Sequence, residues 1–141
     1  MPLVYSHMAL NCRNMATIER FYTKYFGFKR ARLIDLGNMQ IVFLKCGDAY
    51  LELFASEGEA PSDAPTADGH HFQGWRHIAF QVDNVDAKLA EMGSDAKIAL
   101  GPLDFKDFIP GWRTVWVADP EGNIVEISQG YKDQDNPPPL A

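Results

Sequence analysis

Four side chains in this 141-residue chain are of types that could do chemistry together: His7, Glu52, His77 and Glu126. They form two matched pairs, with Glu52 following His7 by 45 residues and Glu126 following His77 by 49. His7-Met-Ala-Leu-Asn-Cys aligns with His77-Ile-Ala-Phe-Gln-Val, and Tyr50-Leu-Glu52-Leu-Phe aligns with Ile124-Val-Glu126-Ile-Ser, so the pairs belong to an internal repeat. Each glutamate stands in the middle of an apolar strand-like run, where a carboxylate is costly unless its face is wet or something pairs with it. Two modules packed about a pseudo-twofold would bring the four side chains together. Two imidazoles and two carboxylates on one concave face make a divalent-metal site, because a cation relieves the repulsion and desolvation of the carboxylates. The nitrogen and oxygen donors suit Zn, Ni, Co, Mn or Fe and disfavour copper(I). Four protein ligands on an octahedral ion leave two positions for water or substrate.

The elements that must position these residues follow from periodicity. Leu3 to Cys12 alternates, with Tyr5, His7, Ala9 and Asn11 on one face. Ile18, Phe21, Tyr22 and Tyr25 recur at i, i+3, i+4 and i+7, an amphipathic helix with Asn14 as its N-cap and Gly27 as its stop. Strands over Phe28–Leu36, Met39–Cys46 and Tyr50–Phe54 follow, separated by Gly37-Asn38 and Gly47-Asp48 turns. The order is β-α-β-β-β. Residues 55–75, rich in Ser, Glu, Gly, Pro, Asp and Ala, form a connecting loop.

The pattern then repeats. Arg76 to Val82 alternates, Asp83 or Asn84 caps a helix bearing Val85, Leu89 and Met92, and Gly93 ends it. Lys97 to Leu100 is a short strand, Gly101 to Pro110 reads as loop, and a strand through Val115–Val117 leads to Asp119-Pro120-Glu121-Gly122. That tetrad is a turn, since proline presets φ and glycine supplies backbone freedom. It feeds the strand carrying Glu126. The expected organisation is a single domain over 1–130, made of modules 3–54 and 76–130 joined by loop 55–75, with 131–141 as a C-terminal tail.

Composition narrows the function classes. The net charge of −6 supplies no basic stripe to neutralise phosphates, which argues against nucleic acid or an anionic membrane as partner. No apolar run approaches the roughly 18 residues that span a bilayer. Met1 to His7 lacks the basic-then-apolar order of a signal peptide, which favours the cytoplasm. Cys12 and Cys46 are too few for a disulfide framework and read as free thiols. Arg76 and Arg113 are candidates to hold an anionic group on a substrate, and Trp75, Trp112 and Trp116 either line a pocket or pack in the core. Tyr50 and Phe54 flank Glu52 on its face.

On these residues the chain resembles the vicinal-oxygen-chelate superfamily, which holds glyoxalase I, methylmalonyl-CoA epimerase, extradiol dioxygenases, fosfomycin-resistance enzymes and bleomycin-resistance proteins. The resemblance covers roughly residues 3–130 and is most specific at Phe21–Phe28, Arg76–Asp83 and Asp119–Glu126. It implies an α+β fold of two βαβββ modules forming an open, curved eight-stranded sheet around a metal. It also implies that His7, Glu52, His77 and Glu126 match the ligand positions of glyoxalase I-type members, and that the protein is a homodimer.

The ligand set favours metal-dependent proton transfer of a glyoxalase-like lyase or isomerase on a small oxygenated substrate. A fourth ligand at Glu52 crowds dioxygenase chemistry and departs from the fosfomycin enzymes, and bleomycin-type binders usually lack the ligands. An extradiol-type dioxygenase, a fosfomycin-type transferase or a non-catalytic drug-sequestering protein are the alternatives. By analogy Glu126 moves the proton, with Glu52 as the alternative base. Asn11 stands where bacterial glyoxalase I has an arginine for glutathione, so a glutathione adduct is not implied.

Overall fold

The computed structural model describes residues 2–141. The chain divides into two units, Met1–Ala64 with Asp119–Asn123, and Pro65–Ala118 with Ile124–Ala141. Each unit is built on a βαβββ module, as the repeat requires.

In the first unit the order is β1 (His7–Cys12), α1 (Met15–Tyr25), β2 (Lys29–Asp35), β3 (Gln40–Cys46) and β4 (Ala49–Ala55). The sheet order is β1-β4-β3-β2, with β1 parallel to β4 and the other pairs antiparallel. The alternation in β4 buries Leu51 and Leu53 on one face and leaves Tyr50, Glu52 and Phe54 half-buried on the other. Val42 and Leu44 join the buried face from β3. Helix α1 buries Ile18, Phe21, Tyr22 and Tyr25, the stripe expected from their spacing. Its start is doubly satisfied. The Asn14 side chain accepts the Thr17 N–H at 3.1 Å, and the Glu121 carboxylate accepts the N–H groups of Arg13 (2.7 Å) and Asn14 (2.9 Å).

The Asp119-to-Asn123 turn belongs to this unit through Asp119. Its buried carboxylate accepts from the Tyr22 hydroxyl at 2.8 Å, from the N–H groups of Glu121 and Asn123, and from the Asn123 amide. Burial first, and the Asp119 charge second, push the Tyr22 hydroxyl well above the usual tyrosine range.

The second unit runs β5 (Ile78–Gln81), α2 (Val85–Met92), a 3₁₀ turn at Gly93–Asp95, β6 (Lys97–Asp104), β7 (Arg113–Ala118) and β8 (Ile124–Gln129). Its sheet order, β5-β8-β7-β6, repeats the first. Asn84 caps α2 by accepting the Ala87 N–H at 2.8 Å. Val115, Val117, Val125 and Ile127 are fully buried on one face, a burial worth about 1.5–3 kcal/mol for each Val or Ile side chain.

Three sequence expectations need adjustment. Strand β1 begins at His7, and Leu3, Val4 and Tyr5 are exposed and outside it. Strand β5 begins at Ile78, so His77 sits just before it. Gly101 to Asp104 is the end of β6 instead of loop. The Gly101–Pro102 peptide is cis, and the register shifts between Leu100 and Leu103. Gly101 takes φ +86, and a Cβ there would meet Leu103 N and Thr114 O at 3.0 Å. The Gly-Pro pair is therefore an irregularity inside a strand, since proline removes one ladder donor without ending the pairing.

Candidate functional site

Register places each histidine and its glutamate on one sheet face. In the first unit His7 lies opposite Tyr50, and Ala9 opposite Glu52. His7 Nε2 stands 3.2 Å from Glu52 Oε1. In the second unit Ala79, which follows His77 on the same face, lies opposite Glu126, and His77 Nε2 stands 3.6 Å from Glu126 Oε1. The side chains of His7 and Glu52 are 37% and 15% exposed, and those of His77 and Glu126 are 18% and 23% exposed. These carboxylates are thus reachable but half-buried. Among the described residues no group of three or more His, Cys, Asp or Glu is gathered as a metal cluster. What the structure brings together is one His–Glu pair in each unit.

Each ring is oriented through its other nitrogen. His77 Nδ1 donates to the Asp68 carbonyl oxygen at 2.8 Å. A carbonyl only accepts, so the neutral ring carries its proton on Nδ1 and turns the Nε2 lone pair toward the Glu126 carboxylate. Two electron-pair donors facing each other need a cation between them, either a proton on Nε2 or a metal ion. His7 Nδ1 lies 2.8 Å from the Ser6 hydroxyl, which can donate or accept.

The donor geometry fits a transition-metal ion. Two ligands with bonds of about 2.1 Å, at angles between octahedral and tetrahedral, lie about 3.0–3.4 Å apart, close to the 3.2 and 3.6 Å observed. A backbone carbonyl on the remote histidine nitrogen is a support that metal-binding histidines commonly use.

The Asp68 carbonyl is itself held in place. Arg76 donates from Nε to this oxygen at 3.1 Å, and its guanidinium pairs with the Asp68 carboxylate. Burial raises the Asp68 carboxyl, but the Arg76 hydrogen bond and charge, together with His70, outweigh it and hold the group below the usual carboxylate range. Gly69 follows at φ +81, where a Cβ would lie 2.6 Å from the Arg76 carbonyl oxygen, so only glycine lets this turn approach. Polar composition made loop 55–75 read as a plain connector. The one signal in the sequence was Asp68-Gly69 followed by an arginine beside the histidine.

The two faces differ beyond the pairs. On the first, the row opposite Glu52 continues through Phe43 to Arg32, and the row of His7 and Tyr50 continues through Lys45 to Lys29. The His7 and Phe43 rings meet edge-on at 5.7 Å, and Lys45 Nζ lies 5.3 Å from the centroid of the Tyr50 ring. On the second, Trp116 stands opposite Glu126 and Thr114 opposite Ser128. The Thr114 and Ser128 hydroxyls are 3.0 Å apart, and Trp112 Nε1 donates to Ser128 at 3.0 Å. Trp116 is 6% exposed, and its Nε1 is one of two buried side-chain polar atoms without a partner among the described residues. Trp112 and Trp116 therefore pack on the Glu126 face, while Trp75 is 84% exposed.

Arg76 and Arg113 do not offer free charge to a substrate. Arg76 is engaged by Asp68, and Arg113 donates to Asp104 at 2.9 Å and Asp86 at 3.0 Å. An arginine beside or opposite several acidic residues is satisfied within the fold, a pairing that its place in the sequence did not reveal.

Comparison with known proteins gives a consistent result. The profile described as Glyoxalase/Bleomycin resistance protein/Dioxygenase superfamily matches residues 5–127. Among solved structures, a glyoxalase family protein from Enterococcus faecalis is 26% identical with a TM-score of 0.67, over 89% of this chain and 96% of that one. A lactoylglutathione lyase from Agrobacterium tumefaciens is 26% identical with a TM-score of 0.60, over 92% and 95%. A fosfomycin resistance protein from Mesorhizobium loti shares the fold at 16% identity and a TM-score of 0.62, over 93% and 95%. No curated protein matches by sequence. Among the described residues no helix is long and apolar enough to cross a membrane.

Proposed function

The chain belongs to the Glyoxalase/Bleomycin resistance protein/Dioxygenase superfamily, and from that membership we propose that it is a divalent-metal-dependent lyase or isomerase moving a proton on a small oxygenated substrate. One observation carries the reading. In each unit a histidine Nε2 faces a glutamate oxygen, at 3.2 and 3.6 Å, while the ring's Nδ1 is occupied elsewhere. His7, Glu52, His77 and Glu126 are the residues that would hold the metal, one of Zn, Ni, Co, Mn or Fe. When bound, such an ion supplies Lewis acidity to adjacent substrate oxygens. Similarity to a lactoylglutathione lyase supports proton transfer, and a fosfomycin-type transferase or an extradiol-type dioxygenase is the second reading.

The chain's own groups supply the rest. Glu126 Oε1 takes the proton from the substrate carbon and returns it to the neighbouring carbon, with Glu52 as the other base. Trp116, directly opposite Glu126, closes water out on that side. The Asp68 carbonyl keeps the His77 ring in one tautomer, and Ser6 orients His7. The protein on this reading is a cytoplasmic homodimer, and sedimentation as a monomer would remove the dimer.

The test is proton exchange. Metal-loaded protein in deuterated buffer, offered 2-oxoaldehyde–thiol adducts and then acyl-CoA epimers, is expected to place deuterium on the carbon beside the carbonyl. Glu126→Gln should lose the exchange and keep the fold. No exchange with any of these substrates, from protein shown to hold metal, rejects proton transfer and favours the sequestering alternative.

A further inference from the structure

Trp116 carries an N–H that the fold does not use. The residue is 6% exposed, and its Nε1 has no hydrogen-bond partner among the described residues. The other such atom, Arg113 Nε, belongs to a guanidinium whose outer nitrogens pair with Asp86 and Asp104. Nothing comparable relieves the indole. Burying a donor without an acceptor costs free energy, and a phenylalanine would fill most of this place without that cost.

The neighbouring tryptophan shows how an indole is satisfied on this sheet. Trp112 Nε1 donates to Ser128 Oγ at 3.0 Å, and Ser128 is held in turn by Thr114 at 3.0 Å. Both indoles meet the Phe105 ring, with centroids 5.0 Å apart for Trp112 and 6.4 Å for Trp116. Register locates the unmet donor. Trp116 lies between Glu126 on β8 and Leu100 on β6. The Leu100 and Phe105 side chains carry no acceptor. Glu126 is the polar partner in this row, and its Oε1 faces His77 Nε2 at 3.6 Å. Cross-strand partners have Cβ atoms about 4.5–5.5 Å apart, so an oxygen held beside the Glu126 carboxylate is within reach of the indole.

We infer that Trp116 is a specificity-determining binding residue: its Nε1–H donates to a carbonyl oxygen of a small ligand whose flat apolar group lies against Phe105. The inference rests on the proposed function and deepens it by naming a substrate class, aryl carbonyl compounds. A carbonyl oxygen brings lone pairs and no hydrogen, which is what this donor lacks. Water is shut out from Nε1, so the contact displaces no bond to solvent on the protein side and its strength is felt in full. The flat group gains an aromatic pairing with Phe105. Phe105 and Glu126 are both half-buried, and they are the side chains that give way to admit the oxygen.

The test is binding, read on the full chain with no turnover needed. Acetophenone is the probe, and 2-phenylpropene, with CH₂ in place of the oxygen, is its matched partner. The three indole N–H resonances are assigned from Trp75→Phe, Trp112→Phe and Trp116→Phe. Acetophenone is expected to saturate, to move the Trp116 indole proton downfield and to slow its exchange with solvent. Trp116→Phe should weaken acetophenone about two- to tenfold, the worth of one hydrogen bond, and weaken 2-phenylpropene less. Phenylalanine also empties volume, so Trp116→3-benzothienylalanine, which keeps the bulk and lacks the N–H, should give the same loss for acetophenone and none for 2-phenylpropene. Trp75→Phe, at an exposed indole, should change neither ligand. No saturable binding of acetophenone, an unmoved Trp116 resonance at saturation, or equal losses for both ligands overturns the inference. So does a downfield Trp116 resonance in the ligand-free protein that Glu126→Gln moves upfield, since the carboxylate would then be the partner. The expected binding signature with no deuterium exchange on any substrate leaves Trp116 standing and removes proton transfer. Exchange with a silent Trp116 removes this inference alone.

Discussion

The two modules share topology, register and a His–Glu pair, yet they hold their histidines by different means. In the first unit the ring is 37% exposed and leans on a serine hydroxyl of the preceding residue. In the second it is 18% exposed and donates to a backbone carbonyl braced by Arg76 and glycine packing. The surrounding faces diverge in the same direction. Glu52 looks across Phe43 to the exposed Arg32, whereas Glu126 lies among buried Ile124, Trp116 and Ser128. Duplication of a His–Glu arm leaves each copy free to specialise. The second copy buries its histidine more deeply and holds it on a backbone carbonyl, while the first leaves its histidine more open.

The sharpest way to break this division is to remove each carboxylate in turn. Glu126→Gln should lower kcat about 10²–10⁴-fold, the usual contribution of a general base, with Glu52→Gln costing less. Equal losses, or a larger one at Glu52, would reverse the roles. The supports can be compared next. Gly69→Ala forces a Cβ against the Arg76 carbonyl and should weaken metal affinity about 10–100-fold by unseating the Asp68 carbonyl from His77. Ser6→Ala, which removes one exposed hydroxyl, should cost several-fold at most. Metal titration by calorimetry measures both, and equal effects would show the two histidines to be equally held.

A buried thiol marks another divergence. Cys12 in β1 aligns with Val82, and it is 1% exposed. Burial first, then the charges of Glu121 and Asp119, push its pKa up from 9.0 to about 12. The folded state thus prefers the protonated thiol. Its contribution is complete below pH 9.0 and is lost as pH rises toward about 12. Cys12→Val should flatten the fall of stability over that range and change stability at neutral pH by less than about 1.5 kcal/mol. Denaturant unfolding at a series of alkaline pH values reads the slope, and an unchanged slope would show that other groups set it. A last variant is Trp116→Phe. With no partner for Nε1 among the described residues, it loses no hydrogen bond, and its stability falls by the ring volume removed from a buried site, about 1–3 kcal/mol. If that N–H meets a substrate oxygen, KM rises; an unchanged KM would show that it does not.

Periodicity made much of the fold legible. The i, i+3, i+4, i+7 stripe from Ile18 to Tyr25, the Asn14 and Asn84 caps, and the alternation around Glu52 all stand where the sequence puts them. The repeat also singled out the two His–Glu pairs. Gly101-Pro102 misled, because residues that usually end a strand here interrupt its ladder and let it resume. Contacts made by backbone atoms leave little trace in residue type, so Asp68-Gly69 and the arginine beside His77 were the one sign of the carbonyl behind that ring. Charge was legible only as a total: Arg76 and Arg113 looked free and are paired, while register and not composition sets Lys29 beside Lys45 on β2 and β3.

The proposed function stands on His7, Glu52, His77 and Glu126 as ligands of a divalent ion. The most direct measurement is metal stoichiometry on protein purified without an affinity tag, beside His7→Ala and Glu126→Ala. About one ion per chain is expected in the parent protein, with a loss of it in either variant alone. Two ions per chain, each lost only with its own pair, or none after every candidate metal is added back, would contradict it.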